Sequence, residues 1–254
     1  MTTLDSLFEK IENAKNLDFG TIIDQVISLF KKVWQKGLVL VLIIVVCAGV
    51  AGVLFNLIGL SGSTNLMLDE GFNINTFIDN YSKNVIYAIP QNILISTLTM
   101  AFLAAFYRIC KSELLEENLQ DDYFYFFKHG YFSKLLTLGM IHTGISTLAL
   151  FLFVIPAIYV YVPLGYISVF FAFNPDLSEI EILKASFKLG NKKWLISFGT
   201  MFVASLMGAL GILGCGIGIL FTISIAYLPV FFIYKEVVGF EKKSAIDEIG
   251  NSIQ

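Results

Sequence analysis

Charge is scarce in this sequence: Asp, Glu, Lys and Arg make up 15% of its 254 residues, against roughly 25% in a soluble domain of ordinary composition. Histidine occurs only at His129 and His142. Two imidazoles exclude an iron site built on four histidines, such as that of a carotenoid-cleaving oxygenase, and no cluster of His, Cys, Asp and Glu has metal-ligand spacing. The three cysteines, Cys47, Cys110 and Cys215, are odd in number and lie in or beside apolar runs. They read as small buried hydrophobes, not as a disulfide framework. A Gly-rich phosphate loop, a Gly-x-Ser-x-Gly elbow and paired catalytic carboxylates are all missing. The net charge of −3 gives no reason to expect a nucleic-acid partner, and no cofactor is implied.

Apolar residues fill the space. Hydrophobic side chains reach 56%, including 24 Phe and 11 Tyr, and the mean hydropathy is +0.76. A water-soluble core of this length cannot hide that much apolar surface, so the bilayer is the expected solvent. Continuous apolar runs cover 37–60, 84–107, 135–174 and 194–235. A spanning helix needs about 20 apolar residues, so the first two runs are single spans and the last two fold back on themselves. Pro156 and Gly214-Cys215-Gly216 are the expected turns. This predicts six spans, at 37–60, 84–107, 135–155, 157–174, 194–213 and 217–235, in one integral membrane domain with an extracytoplasmic loop at 61–83.

Sixteen of the 17 Lys and Arg residues fall before the first span, at 108–134, at 175–193 or after the last span; Lys83 alone falls in the 61–83 loop. By the positive-inside rule both termini are cytoplasmic. The first apolar run begins too late and is too long for a cleavable signal, so it reads as a permanent span.

A spacing recurs ahead of three spans. Thr21, Asp24, Phe30 and Lys31 stand at the same offsets as Asn118, Asp121, Phe127 and Lys128, and as Ser178, Glu181, Phe187 and Lys188. The first two residues of each set predict an N-cap and its acidic N3 partner. In the first set Phe19, Ile22, Ile23, Val26, Ile27, Phe30, Val33 and Trp34 follow helical spacing, opposite polar residues. An amphipathic helix over 19–36, ending in Lys and Trp beside a span, is expected in the membrane interface. The fold expected is all-α: three transmembrane hairpins, each preceded by a cytoplasmic interfacial helix.

The segment from Leu177 to Trp194 (LSEIEILKASFKLGNKKW), followed by the glycines Gly208, Gly211, Gly214, Gly216 and Gly218, resembles a bacterial integral membrane family. That family comprises the YciC-like proteins and the membrane domain attached to some glycerophosphodiester phosphodiesterases. Ile155-Pro156-Ala157 stands where relatives have Ile-Pro-Gly, and 19–36 resembles the family's opening segment. The resemblance implies six spans, a bacterial inner membrane and no established activity. No soluble domain is left over for the phosphodiesterase head, so that activity is not expected.

Four residues form the candidate intramembrane polar site: Gln91, Asn92, His142 and Thr143. An ionisable residue inside a span is a functional candidate, although a neutral imidazole bonded to a neighbouring helix accounts for His142 without function, and that reading ranks first. Pro90-Gln91-Asn92 offers a helix break of the kind transporters use, but an ordinary kink with its polar side chains satisfied by neighbours is the preferred reading, as for Pro163 and Pro229. No Asp, Glu, Lys or Arg falls mid-span, which argues against an ion-coupled carrier. The acidic cluster Glu113, Glu116, Glu117, Asp121 and Asp122 reads as a solvated connector. Ala48, Gly52, Gly214 and Gly218 fit close helix packing. Lys31, Lys32, Trp34, Lys188, Lys192 and Trp194 are the expected contacts to the membrane surface or a partner. The expected function is non-catalytic: a scaffold or accessory subunit that binds membrane lipid or a membrane-protein partner. A transporter or channel for a small or lipid-like molecule is the alternative, and a lipid-modifying enzyme the third reading.

Overall fold

The computed structural model describes residues 3–60, 74–117, 120–128, 130–152, 154–214 and 216–240, with side chains described from Tyr87 onward in the segment that begins at 74. Every regular element among them is helical. Six stretches are long and apolar enough to cross a membrane: Phe19–Leu57, Tyr87–Leu114, Phe132–Phe151, Val154–Phe173, Trp194–Leu213 and Gly218–Val237. The chain is a multi-pass membrane protein.

Helix boundaries depart from the sequence reading in three places. Helix α2, Phe19–Leu57, runs 39 residues without a break, about 58 Å at 1.5 Å per residue, so 19–36 is not a separate interfacial helix. Its apolar face (Ile22, Val26, Leu29, Val33) is at most 2% exposed and packs into the protein core instead of lipid headgroups. Helix α3, Ile74–Leu114, begins inside the stretch read as the 61–83 loop. The turn assigned to Pro156 comes earlier, between α5 (Phe132–Phe151) and α6 (Val154–Gly165). Pro156 falls in the first turn of α6, where its missing N–H costs no helical bond.

After α6 come α7 (Ile167–Phe173), α8 (Glu179–Lys192) and α9 (Trp194–Ala209), the last extended by a 3₁₀ turn, Leu210–Leu213. Gly216 has φ +78, the left-handed region that favours glycine, and turns the chain into α10 (Gly218–Thr222). A 3₁₀ segment, Ile223–Tyr227, leads to α11 (Leu228–Val237). Cys215 lies outside the described residues.

The spanning stretches divide by burial. In the most apolar 18 residues of α2, α5 and α9, 17%, 28% and 28% are buried within the protein, whereas in those of α3, α6–α7 and α10–α11 the shares are 61%, 50% and 50%. The first three are peripheral and the second three central. Helices close in on one another where one partner lacks a side chain: Gly37 of α2 faces Ser224, Gly139 of α5 faces Thr97 of α3, and Gly211 faces Gly218. Such contacts replace the hydrophobic drive that lipid removes. The Gln25 side chain bonds Glu236 at 3.2 Å while Gly37 meets Ser224, so α2 runs antiparallel to α11 and the 3₁₀ segment before it.

The described Lys and Arg side chains gather at one end of the bundle. There Lys36 bridges Glu113 and Asp121, and the Tyr123 hydroxyl donates to the Lys36 carbonyl at 2.7 Å. The Arg108 guanidinium lies 3.3 Å from the Tyr125 ring centroid, on the short helix α4, Tyr125–Lys128. Below it Phe126, Phe170, Phe171, Phe231 and Phe232 form a fully buried aromatic core.

Of the two expected caps that fall among the described residues, one forms. Ser178 and Glu181 make a reciprocal capping box on α8, and the Ser178 backbone and side-chain bonds hold the Glu181 carboxyl below the usual range. In the first set Thr21 does not cap: Asp18 does, accepting from the Thr21 amide at 2.8 Å, because the helix starts three residues sooner. In the second set Asn118 lies outside the described residues, and Asp121 is drawn to Lys36.

A helix absent from the sequence reading, α1 (Leu4–Glu12), docks on α8 through Leu7 and Ile11, both fully buried. Lys188 donates to Glu12 at 2.5 Å and Lys192 to the Glu12 carbonyl at 3.0 Å. The buried Lys193 ammonium donates to the carbonyls of Ala14 and Lys15 at 3.3 and 2.6 Å. The Lys188 hydrogen bond and charge hold the Glu12 carboxyl below its ordinary value. A carboxylate so lowered contributes docking stability above its ordinary pKa, about 4.3, and loses it as pH falls through the lowered value. Hydrogen exchange of α1 amides is therefore expected to be slow and flat from pH 7 to about 5, corrected for intrinsic rates, and to speed up below about 4. Glu12→Gln should remove that acid step; its persistence in the variant would show that another group governs docking.

Candidate functional site

Proline and glycine shape the interior of the bundle. Pro163 has no N–H, which leaves the Tyr159 carbonyl one turn earlier without its helical partner. The Trp194 indole donates to that carbonyl at 3.0 Å and its ring stacks on Tyr159, 6.3 Å between centroids. Gly190 lies against the same proline, where a Cβ would come 2.6 Å from Pro163 Cα. Trp194 therefore ties α9 to α6 while remaining half-buried. Soon after Pro163 the helix is interrupted at Tyr166, and α10 passes into α11 through the 3₁₀ segment before Pro229. Both central stretches are thus broken at similar places.

These breaks border a cavity of about 470 Å³, within the size range of small-molecule sites. Leu164, Gly165 and Ser168 line it from one broken stretch, and Ala226, Tyr227 and Val230 from the other. Irregular backbone at membrane depth is tolerated where it lines a cavity or is satisfied by side chains. The Tyr107 hydroxyl illustrates the second case, donating to the Tyr227 carbonyl at 3.1 Å. The opposite wall is α3 and α5, which place Ser96, Thr99, His142 and Ser146 on the cavity. Leu150 and Tyr161 line it as well while 40% and 55% exposed, so the mouth opens sideways, toward the lipid-facing surface. None of the lining residues carries a carboxylate, amine or guanidinium.

His142 and Thr143 are brought together with Ser96, which the sequence reading did not single out. Thr143 Oγ1 donates to Ser96 Oγ at 3.3 Å, and Ser96 Oγ lies 3.4 Å from His142 Nδ1. Gly139 makes this approach possible, since α5 meets Thr97 of α3 without a side chain between them. Gln91 and Asn92 are not part of the group. Gln91 points to Gly52 of α2, where an added Cβ would lie 3.8 Å from its Nε2, and Asn92 is exposed. Helix α3 runs through Pro90 without ending; the breaks come after Pro163 and before Pro229, where only ordinary kinks are expected from the sequence.

The surface candidates divide. Lys31, Lys32 and Trp34 are exposed, with Trp34 6.3 Å from the Phe221 ring. Lys188 and Lys192 hold α1 and are internal contacts of the chain. Among the described residues no three His, Cys, Asp or Glu side chains converge where a metal could sit; His129 lies outside them. Cys47 and Cys110 are free thiols. No protein-family model, curated protein or solved structure matches the chain.

Proposed function

We propose that this chain is a non-catalytic lipid-binding protein of a bacterial inner membrane, which holds a lipid-like molecule in the cavity between α3, α5, α6–α7 and α10–α11. The carrying observation is the cavity itself: a mostly apolar chamber with no carboxylate, amine or guanidinium in its lining, polar groups concentrated on the α3 and α5 side, and a lateral mouth. Lipid entering sideways would keep its chains in the bilayer while its polar end reaches Ser96 and His142. We read the helix pairs α2/α3, α5/α6–α7 and α9/α10–α11 as three hairpins, each with a peripheral and a central member. The gathering of basic side chains at one end supports a cytoplasmic position for that end and for both termini. The bacterial membrane rests on the resemblance to the YciC-like family.

Extraction in mild detergent, followed by mass spectrometry of what co-purifies, tests this reading. A defined lipid at near-stoichiometric amount is expected, and Ala157→Trp, which fills the cavity near its mouth, should reduce it at least tenfold without unfolding the protein. A stoichiometric protein partner with no lipid would favour a scaffold working through protein contacts instead. Movement of the bound molecule between leaflets is the second reading, favoured by the broken central helices beside the cavity; lipid flux in reconstituted vesicles separates carriage from storage.

A further inference from the structure

The polar wall also constrains the chemistry of the occupant, given the reading of the cavity as a lipid site. We infer that the cavity takes an uncharged lipid whose polar end is a carbonyl acceptor, of the diacylglycerol or quinone type, held by the ring N–H of His142. A charged headgroup would enter a chamber with no lining counter-charge, which low dielectric makes costly. That excludes phosphate and ammonium headgroups from the interior and selects neutral lipid.

The hydrogen-bond direction follows from the side chains. Thr143 Oγ1 donates to Ser96 Oγ, so the Ser96 proton is available for His142 Nδ1. A neutral imidazole that accepts at Nδ1 carries its proton on Nε2 and donates there. No protein partner takes that donor among the described residues, and the imidazole lines the cavity. Ser146 is not bonded to the imidazole; its hydroxyl donates to the Thr143 carbonyl at 3.1 Å. The wall thus presents a ring N–H to whatever occupies the chamber, beside the hydroxyls of Thr99, Tyr161, Ser168 and Tyr227 that also line it, and a carbonyl is a neutral lipid group that accepts from such donors. At about 470 Å³ the chamber encloses the polar end and the first part of the chains, and the exposed edge at Leu150 and Tyr161 lets the remainder lie in the bilayer.

The test is titration of the full-length protein, in mild detergent, with dioleoylglycerol, decylubiquinone, squalene and dioleoylphosphatidylglycerol, followed by native mass spectrometry. Dioleoylglycerol and decylubiquinone are expected to bind at least tenfold more tightly than phosphatidylglycerol. His142→Phe, which keeps the ring volume, should weaken both carbonyl probes about five- to tenfold, the worth of one hydrogen bond, and leave squalene unchanged. His142→Gln, which restores an N–H donor, should recover part of the loss. If His142→Phe binds the carbonyl probes as the native protein does while Ala157→Trp excludes them, this inference fails and the lipid cavity stands. Phosphatidylglycerol binding that is as tight, and lost in Ala157→Trp, overturns it likewise. If no probe binds and Ala157→Trp leaves the co-purifying lipid unchanged, both readings fall.

Discussion

Gly139→Leu is expected to prevent assembly of the bundle, with folded yield after detergent extraction falling more than tenfold. The site of the change is the line where α5 lies on α3. A Cβ at 139 would run into Thr97 Oγ1, and behind that hydroxyl it meets backbone, with Thr97 N at 3.1 Å and Ile93 O at 3.2 Å. Side chains can rotate away, but the backbone of a central helix cannot, so a leucine must push the two helices apart. Overpacking inside a close-packed interior costs about 1–3 kcal/mol when neighbours can adjust; here the fixed backbone raises the cost, and Ser96, Thr143 and His142 lose their register together. Gly139→Ala is the graded version, expected to cost about 1–3 kcal/mol. Combining it with Thr97→Ala removes the nearest clash, because the Thr97 hydroxyl bonds only the Ile93 carbonyl of its own helix at 2.8 Å. Stability should return in part, the amide and carbonyl contacts remaining. Thermal midpoints of the four proteins give the coupling; additive losses would mean that α3 and α5 are not in contact at this point.

Much of this architecture is legible in the sequence, because spans are read from length and hydropathy, and a bilayer enforces both. The turn at Gly214–Gly216 and the Ser178–Glu181 capping box are local codes that tertiary contacts do not override. Packing decides where the reading departs. The amphipathic pattern of 19–36 is present, but periodicity cannot say whether the apolar face meets lipid or protein, and here α2 continues straight through it into the core. Helix α1 had a usable signal, Leu4, Leu7, Phe8 and Ile11 at helical spacing after the cap Thr3, at low hydropathy beside much stronger runs. The site was half visible. His142 and Thr143 stand out as polar residues within a span, whereas Ser96 gains meaning only once α5 lies against α3. Pro90 attracted attention through its amide neighbours, yet helix α3 runs through it; Pro163 and Pro229, flanked by apolar residues, accompany the breaks that border the cavity.

Leu7→Asp is expected to release α1 from α8 while leaving the transmembrane bundle intact, so that trypsin cuts at Lys10 or Lys15 about a hundredfold faster. Leu7 is fully buried, and burial of a leucine contributes about 1.5–3 kcal/mol. A carboxylate in its place would sit in an apolar pocket without a partner, which costs more than the leucine gave. Global unfolding is avoided because α1 joins α2 only through the short segment after Glu12, and a helix docked on one neighbour can open locally at the cost of its own contacts. The thermal midpoint of the bundle should therefore move by only a few degrees. A midpoint that drops with α1 release would instead make α1 part of the cooperative core. The same variant bears on Lys188 and Lys192. If these lysines serve lipid or a partner, Leu7→Asp frees them and binding at this surface should strengthen. If their role is to hold Glu12, Lys188→Glu should reproduce the faster cleavage of Leu7→Asp to a smaller degree, and the lipid content of the cavity should be the same in all three proteins. The short Lys188–Glu12 contact and the Lys192 bond to the Glu12 carbonyl favour the second outcome, since both ammonium groups are already engaged by the chain's own first helix.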